Sequence, residues 1–302
     1  MPENLAQLAK NIIQANPAEF AVILGPTCTG KTALALELAE IFQVPIINAD
    51  SRLIFCEMNI GTAKPSLEEL SRAKHYLVDL KNPSETYSAG EFQQDFDKVV
   101  MGLEPAASRL KALVVGGTGL YIKSALDNLL MPPISPSAGL REKLSGLDLA
   151  ELQDQLHQLD PDAQDLIDTK NKIRIIRALE IITQTGKPLK LSRLTASSPR
   201  YPACYIGLNY SNRTQLYDLI DKRVLAMIEQ GLVLEVEALI QKYGPTQTLN
   251  STIGYKEISD YLRGTLSLEQ AISLIQKNTR NYAKRQITWF RANKEINWLN
   301  RD

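Results

Sequence analysis

The stretch Phe20–Phe42, FAVILGPTCTGKTALALELAEIF, decides the fold. FAVIL is a short apolar run, GPTCTGKT (Gly25–Thr32) is rich in glycine and threonine, and KTALALELAEIF has helical composition and periodicity. That order reads as strand, loop, helix. The loop fits G-x-x-x-x-G-K-[ST], in which backbone N–H groups at the opening of a helix cradle a di- or triphosphate. In such a loop Lys31 sets its ammonium on the phosphate oxygens, and the Thr32 hydroxyl binds a magnesium ion that bridges them. Gly25, Pro26, Thr27, Cys28, Thr29 and Gly30 complete the cradle.

Working outward, VPIINAD ends a second apolar run at Asp50, and KALVVGGTGLY carries a third into a glycine-rich turn at Gly116, Gly117 and Gly119. ACYIGLNY, from Ala203, reads as a return to the same sheet. Continuous apolar runs of this kind belong to parallel strands covered on both faces. Such sheets bind ligands beyond the carboxyl ends of their strands, where Gly25–Thr32, Asp50 and Gly116–Gly119 converge. Two proline-rich breaks, MPPISPS at 131–137 and SSPRYP at 197–202, enclose a segment that reads as helices without a strand. The expected fold is therefore α/β: a P-loop-type parallel sheet core flanked by helices, with an inserted all-helical domain and a helical C-terminal region. The corresponding boundaries are 1–130 for the first part of the core, 131–199 for the insertion, and 200–302 for the return strand and helices, the pattern being helical from Asn212 to the end.

The chain has 302 residues, 44% of them hydrophobic, enough for a substantial core. No apolar run approaches membrane-spanning length, and the first twenty residues lack an uninterrupted apolar segment, so a cytoplasmic protein with no membrane contact is expected. Three widely spaced cysteines, Cys28, Cys56 and Cys204, support neither a disulfide framework nor a zinc site and are expected as small buried hydrophobes. The formal net charge is zero, so affinity for a polyanion has to come from local basic patches.

Two such patches exist. NKIRIIRALE carries Lys172, Arg174 and Arg177. QKNTRNYAKRQITWFRANK carries Lys277, Arg280, Lys284, Arg285, Arg291 and Lys294 without an acidic residue. Positions 277, 280, 284 and 291 share a helical face, which is either a solvated surface or a phosphate-binding one. Asp50, in NADSR, can ligate a metal, accept a proton, or cap the next turn. LVVGG offers no acid where a phosphoryl-transfer enzyme of this class places its metal-binding aspartate, and Asp79 of HYLVDL is the nearest substitute. ATP hydrolysis is disfavoured on that ground. His75 and His157 neighbour no nucleophile or ligand cluster.

With these residues in view, the chain resembles the tRNA dimethylallyltransferases over residues 20–298. GPTCTGKT, NADSR, NIGTAKPS, HYLVDL, YSAGEFQ, VVGGTGLYI, RIIRALE, TGKPL, IGYKE and TRNYAKRQITWFR occur in the family's order. The resemblance implies that the loop holds the diphosphate of dimethylallyl diphosphate, which leaves as N6 of adenosine 37, beside the tRNA anticodon, attacks the allylic carbon. It implies Asp50 as proton acceptor, magnesium as cofactor, and Lys31 and Thr32 as groups that stabilise the departing diphosphate. RNA contacts are implied at Asp50, Ser51, Arg52, Leu53, Thr118, Ile173, Arg174, Arg177, Ser251, Gly254, Tyr255, Lys256, Thr279, Arg280, Lys284, Arg285 and Gln286, with Arg141 a further contact to the anticodon stem-loop. The chain departs from the family at Leu53 and Phe55, where glutamine and tyrosine are usual, at Cys28 and Tyr76, and at Leu219, where a diphosphate-binding arginine is usual. Arg223, one helical turn on, is expected to serve in its place. A monomer is expected. The alternatives are a P-loop kinase acting on a small molecule and a weakly active or non-catalytic tRNA-binding relative.

Overall fold

The computed structural model describes residues 5–104, 109–127, 129, 134, 137–193 and 198–301. Among them a six-stranded, wholly parallel sheet runs in the order β3-β2-β4-β1-β5-β6. Its strands are β1 (Phe20–Leu24), β2 (Ile46–Asn48), β3 (His75–Tyr76), β4 (Ala112–Gly116), β5 (Ala203–Tyr210) and β6 (Asn297–Arg301). β1 lies between β4 and β5, with Val22 level with Val114 on one side and Tyr205 on the other. All five of its residues are buried, as the unbroken apolar run requires of a strand covered on both faces.

Helices α1 (Leu5–Ala15) and α2 (Lys31–Phe42) close one face of the sheet, placing Ala6, Ala9 and Ile13 with Leu34, Leu36 and Leu38 in a common core with Ala21, Ile23 and Leu113. The short helix α3 (Leu67–Arg72) and α4 (Ala89–Met101) each begin with a capping box, Ser66 with Glu69 and Ser88 with Glu91. α4 packs on α5 (Gly119–Leu126), where the Phe92 and Tyr121 rings stack.

Two compact units account for the chain. Residues 1–126 and 201–302 form the sheet-containing unit, and residues 127–200 form the other. The second unit consists, among its described residues, of α6 (Ala138–Ser145), α7 (Leu149–Leu159), α8 (Ala163–Leu166), α9 (Lys172–Thr185) and a 3₁₀ turn at Leu189–Arg193. Its own core gathers Leu144, Leu152, Leu156, Ile175, Leu179 and Ile182. Most of the proline-rich break at 131–137 lies outside the described residues.

After β5 the first unit continues through α10 (Arg213–Glu229), α11 (Leu232–Tyr243), α12 (Gln247–Ser251), α13 (Tyr255–Leu262) and α14 (Leu268–Phe290). Two strands escape the sequence reading. The expectation of helix from Asn212 to the end is corrected at β6, which pairs with β5 from Ile206–Asn297 to Tyr210–Arg301. NWLNR has only two large apolar residues and lies at the sheet's edge, so it lacks the apolar run of a buried strand. β3 is a two-residue edge strand, too short for any periodicity.

Candidate active site

The loop after β1 turns into α2 at Gly30, whose φ of 77° and ψ of 26° put it in the left-handed region. An added Cβ there would lie 1.9 Å from Arg301 Nη1, so glycine is needed both for the turn and for the approach of that guanidinium. Arg301 Nη1 donates to Thr29 O at 2.9 Å, and nothing in the sequence flags this residue for the site. Within the loop, Pro26 O accepts from both the buried Thr29 hydroxyl at 2.9 Å and Lys31 Nζ at 2.8 Å. Cys28 also adopts a positive φ of 66°, a costly conformation outside glycine that the surrounding contacts hold in place.

The strand order sets the loops after β2, β4 and β1 side by side. Ala49 N donates to Val115 O at 2.7 Å and Thr118 N to Ala49 O at 3.2 Å, tying the Asp50 turn to the second glycine-rich turn. The buried Asn48 side chain shapes that turn by accepting from Asp50 N at 2.9 Å and donating to Asp50 O at 3.0 Å and Leu77 O at 2.8 Å. Asp50 Oδ1 accepts from Arg52 N at 2.9 Å. It therefore caps its own turn, while Oδ2 takes no hydrogen bond from the described residues. Thr118 Oγ1 accepts from Ser51 N at 3.0 Å and donates to Ser51 Oγ at 3.3 Å.

These loops line a cavity of about 590 Å³. Thr27, Cys28, Gly30, Lys31 and Thr32 form one part of its wall, Asp50, Ser51, Arg52 and Leu53 another, and Arg223 of α10 stands over the loop. Arg223 Nη1 donates to Thr27 Oγ1 at 3.4 Å and to Cys28 Sγ at 3.6 Å. Leu219 is not part of this wall; Arg223 is. The wall is completed by Ser251 and Gly254 ahead of α13, and by Thr279, Tyr282, Arg285 and Gln286 of α14.

The electrostatics are those of an anion site facing a carboxylate. Burial lowers the Lys31 pKa to about 8, the Asp50 carboxylate pulling it up and the Arg223 guanidinium pushing it further down. Burial, reinforced by Asp50, pushes the Tyr282 phenol up to about 12, with a hydrogen bond to Thr118 acting the other way. Two cations and one carboxylate thus act on one another around a single cavity.

Other sequence candidates are placed differently. Gly25, Pro26 and Thr29 are buried and are not among the residues of the cavity wall. Tyr255 is fully buried, its hydroxyl donating to Glu235 Oε1 at 2.6 Å, while that carboxylate also receives the N–H groups of Asn59, Ile60 and Gly61. Lys256 and Lys284 are exposed, Lys284 lying 5.6 Å from the centre of the Tyr217 ring. Arg280 forms an ion pair with Asp221 of α10. Gln286 is 5% exposed and spends both ends of its carboxamide inside the protein. In the second unit Ile173 and Arg174 are exposed, whereas Arg141 and Arg177 both grip the buried Glu180.

Asp79, the substitute metal-binding acid, pairs with Lys64 and borders an adjoining cavity of about 780 Å³ that shares Thr32 and Arg223 with the first. That pair satisfies a lysine side chain that is 4% exposed. The cysteine expectation holds for Cys204 alone; Cys28 and Cys56 are half-buried, Cys28 in the cavity wall. His75 and His157 join no metal cluster among the described residues.

Comparison with known proteins places this geometry. A family model described as IPP transferase matches residues 53–293. The chain is 45% identical over 278 residues to a tRNA dimethylallyltransferase of Microcystis aeruginosa, covering 92% of this chain and 86% of that one. It is 40% identical over 281 residues to one of Cyanothece, covering 93% and 92%. Among solved structures it resembles the full-length tRNA isopentenylpyrophosphate transferase of Bacillus halodurans with a TM-score of 0.68 and 35% identity, over 94% of this chain and 90% of that one. It also resembles a eukaryotic dimethylallyltransferase acting on tRNA, with a TM-score of 0.78 and 25% identity, over 94% and 74%. A family match over residues 53–293, most of the sequence, together with relatives 40–45% identical over more than nine-tenths of the chain, shows that the chain belongs to the IPP transferase family.

Proposed function

We propose that this protein transfers a dimethylallyl group from dimethylallyl diphosphate to N6 of adenosine 37 in tRNA. The observation that carries this reading is the convergence of Lys31 and Arg223 with Asp50 on one cavity. In the reaction the bond between the allylic carbon and the diphosphate oxygen breaks, a bond from N6 to that carbon forms, and one N6 proton is lost. Negative charge accumulates on the leaving diphosphate, where the loop amides, Lys31 and Arg223 stabilise it more in the transition state than in the ground state. Asp50 accepts the proton through Oδ2, its Oδ1 being held by the turn.

A metal fits this donor set in one way only. The described residues offer no cluster of three or more His, Cys, Asp or Glu side chains, but magnesium keeps several waters and binds largely through substrate phosphates. The half-buried Thr32 hydroxyl in the cavity wall suits that requirement. Bound there, magnesium neutralises charge on the diphosphate.

The acceptor base has to leave its stack to reach Asp50, a modest cost in a single-stranded loop. Arg52, Leu53, Ser251, Gly254, Thr279 and Arg285 line its path in this reading, while exposed Lys256, Lys284, Ile173 and Arg174 meet the anticodon stem-loop. In this reading the protein acts as a monomer. The kinase alternative is not favoured, because the relatives 40–45% identical to the chain are tRNA dimethylallyltransferases. Incubation of the protein and an anticodon stem-loop RNA with magnesium and either dimethylallyl diphosphate or ATP tests the reading. Prenylated adenosine is expected with the former alone, and phosphoryl transfer from ATP overturns it.

A further inference from the structure

Gln286 lies on α14 between turns that carry exposed basic residues, yet its own side chain points inward and is 5% exposed. Its Oε1 accepts from Thr27 N at 2.9 Å, and its Nε2 donates to Gly117 O at 3.0 Å. A backbone N–H can only donate and a carbonyl can only accept, so these partners fix the orientation of the carboxamide. Thr27 belongs to the phosphate loop, 259 residues away in sequence, and Gly117 to the glycine-rich turn after β4, 169 residues away. A Cβ on Gly117 would sit 2.2 Å from Nε2, so glycine leaves room for the bridge. Neither partner is served by a strand or helix: β1 ends at Leu24 and β4 at Gly116.

The bridge reaches the other half of the site. Thr118, next to Gly117, holds Ser51 N through its hydroxyl and acts on the phenol of Tyr282, which lies in the cavity wall one helical turn before Gln286 on the same face of α14. One face of one helix therefore addresses both the loop that binds the leaving group and the turn that carries Asp50.

We infer that Gln286 is a positioning residue: its carboxamide fixes the phosphate loop against the Asp50 turn and sets the loop's affinity for a diphosphate, and it is not itself an RNA contact. By occupying Thr27 N–H, Gln286 turns that amide away from the phosphate and leaves the amides that follow it, up to the first turn of α2, to face the ligand. Without it, a donor and an acceptor are left without partners beneath the loop, and the loop rotates to recover them in water. The inference rests on the prenyl-transfer reading for the identity of the diphosphate, but its test does not.

The experiment measures binding of inorganic diphosphate with magnesium by calorimetry, and binding of an anticodon stem-loop RNA separately, for the full chain and for Q286L and Q286E. Q286L, which removes both hydrogen bonds of the bridge, is expected to weaken diphosphate binding about 10-fold and to leave RNA affinity within about twofold. In Q286E an ionised carboxylate still accepts from Thr27 N–H but cannot donate to Gly117 O. Its protonated form can do both. The diphosphate affinity of Q286E, taken relative to wild type at each pH, is therefore expected to recover as the pH falls, which also keeps the test decisive if Q286L does not fold. Unchanged diphosphate binding in both variants, or lost RNA binding with diphosphate binding intact, overturns the inference. Wild-type protein that binds diphosphate without prenylating RNA counts against the proposed reaction and leaves the positioning role standing.

Discussion

At the scale of single residues, the proposed reaction divides its tasks between one carboxylate and one lysine. Asp50 serves its turn with Oδ1, so the Asp50→Asn variant keeps the acceptor that holds Arg52 N while losing the base. Its single-turnover prenyl transfer is expected to fall about 10²- to 10⁴-fold with RNA affinity within about twofold, as removal of a positioned general base does. Loss of RNA binding with chemistry preserved would sink the assignment. Lys31 makes a prediction about pH. With its pKa lowered to about 8 by burial, the free enzyme loses the loop's ammonium as the pH rises through 8. kcat/KM for the prenyl donor is therefore expected to decline above about pH 8. In kcat the limb moves to higher pH, because bound diphosphate favours the charged lysine. Lys31→Arg, always cationic, should show no such limb in whatever activity remains.

At the scale of elements, α14 has one face in the core and one toward solvent, and only part of this was legible in the sequence. The run from Lys277 to Lys294 showed a basic face by spacing alone. It did not show that Arg280 is paired with Asp221 or that Gln286 is turned inward, because both partners come from distant segments. The loop–helix unit around Gly25–Thr32 was legible for the opposite reason: its pattern is local and its mechanism fixes the neighbours. β6 was not, since an edge strand of polar residues carries no apolar period, and Arg301 went unnoticed with it. The two cations of α14 consequently behave differently on substitution. Lys284→Ala is expected to weaken RNA binding and to reduce the slope of log affinity against log salt by about 1, the signature of one lost phosphate contact. Arg280→Ala is expected to act mainly on stability, costing about 1 kcal/mol or less for a partly exposed ion pair, with the salt slope unchanged. Equal salt slopes for Lys284→Ala and wild type would remove the phosphate-binding role from that face.

At the scale of the whole molecule, the order β2-β4-β1 brings the Asp50 turn, the Gly116–Gly119 turn and the phosphate loop together, so the sheet's topology builds the site before any side chain refines it. The helical unit follows a different rule, because a charge lies in its interior. Glu180 is 0% exposed at its side chain and receives Arg141 of α6, Arg177 of its own helix and the Ser137 N–H. Burial alone would raise its pKa, but hydrogen bonds from Arg141, Arg177 and the Ser137 amide outweigh it and hold the carboxyl at about 2. A carboxyl depressed in the folded state stabilises fully above its unfolded pKa, and that contribution is lost as the pH falls toward 2. The helical unit is therefore expected to lose urea resistance between about pH 4.5 and pH 2 through this group. Both tryptophans, Trp289 and Trp298, belong to the sheet-containing unit, so their fluorescence reports on that unit while far-ultraviolet circular dichroism reports on both. Glu180→Gln, which keeps the shape but not the charge, is expected to cost about 1–3 kcal/mol at neutral pH and to flatten the circular-dichroism midpoint across that acid window, with the fluorescence midpoint unaffected. An acid dependence equally steep in wild type and Glu180→Gln would show that Glu180 does not set the pH stability of this unit.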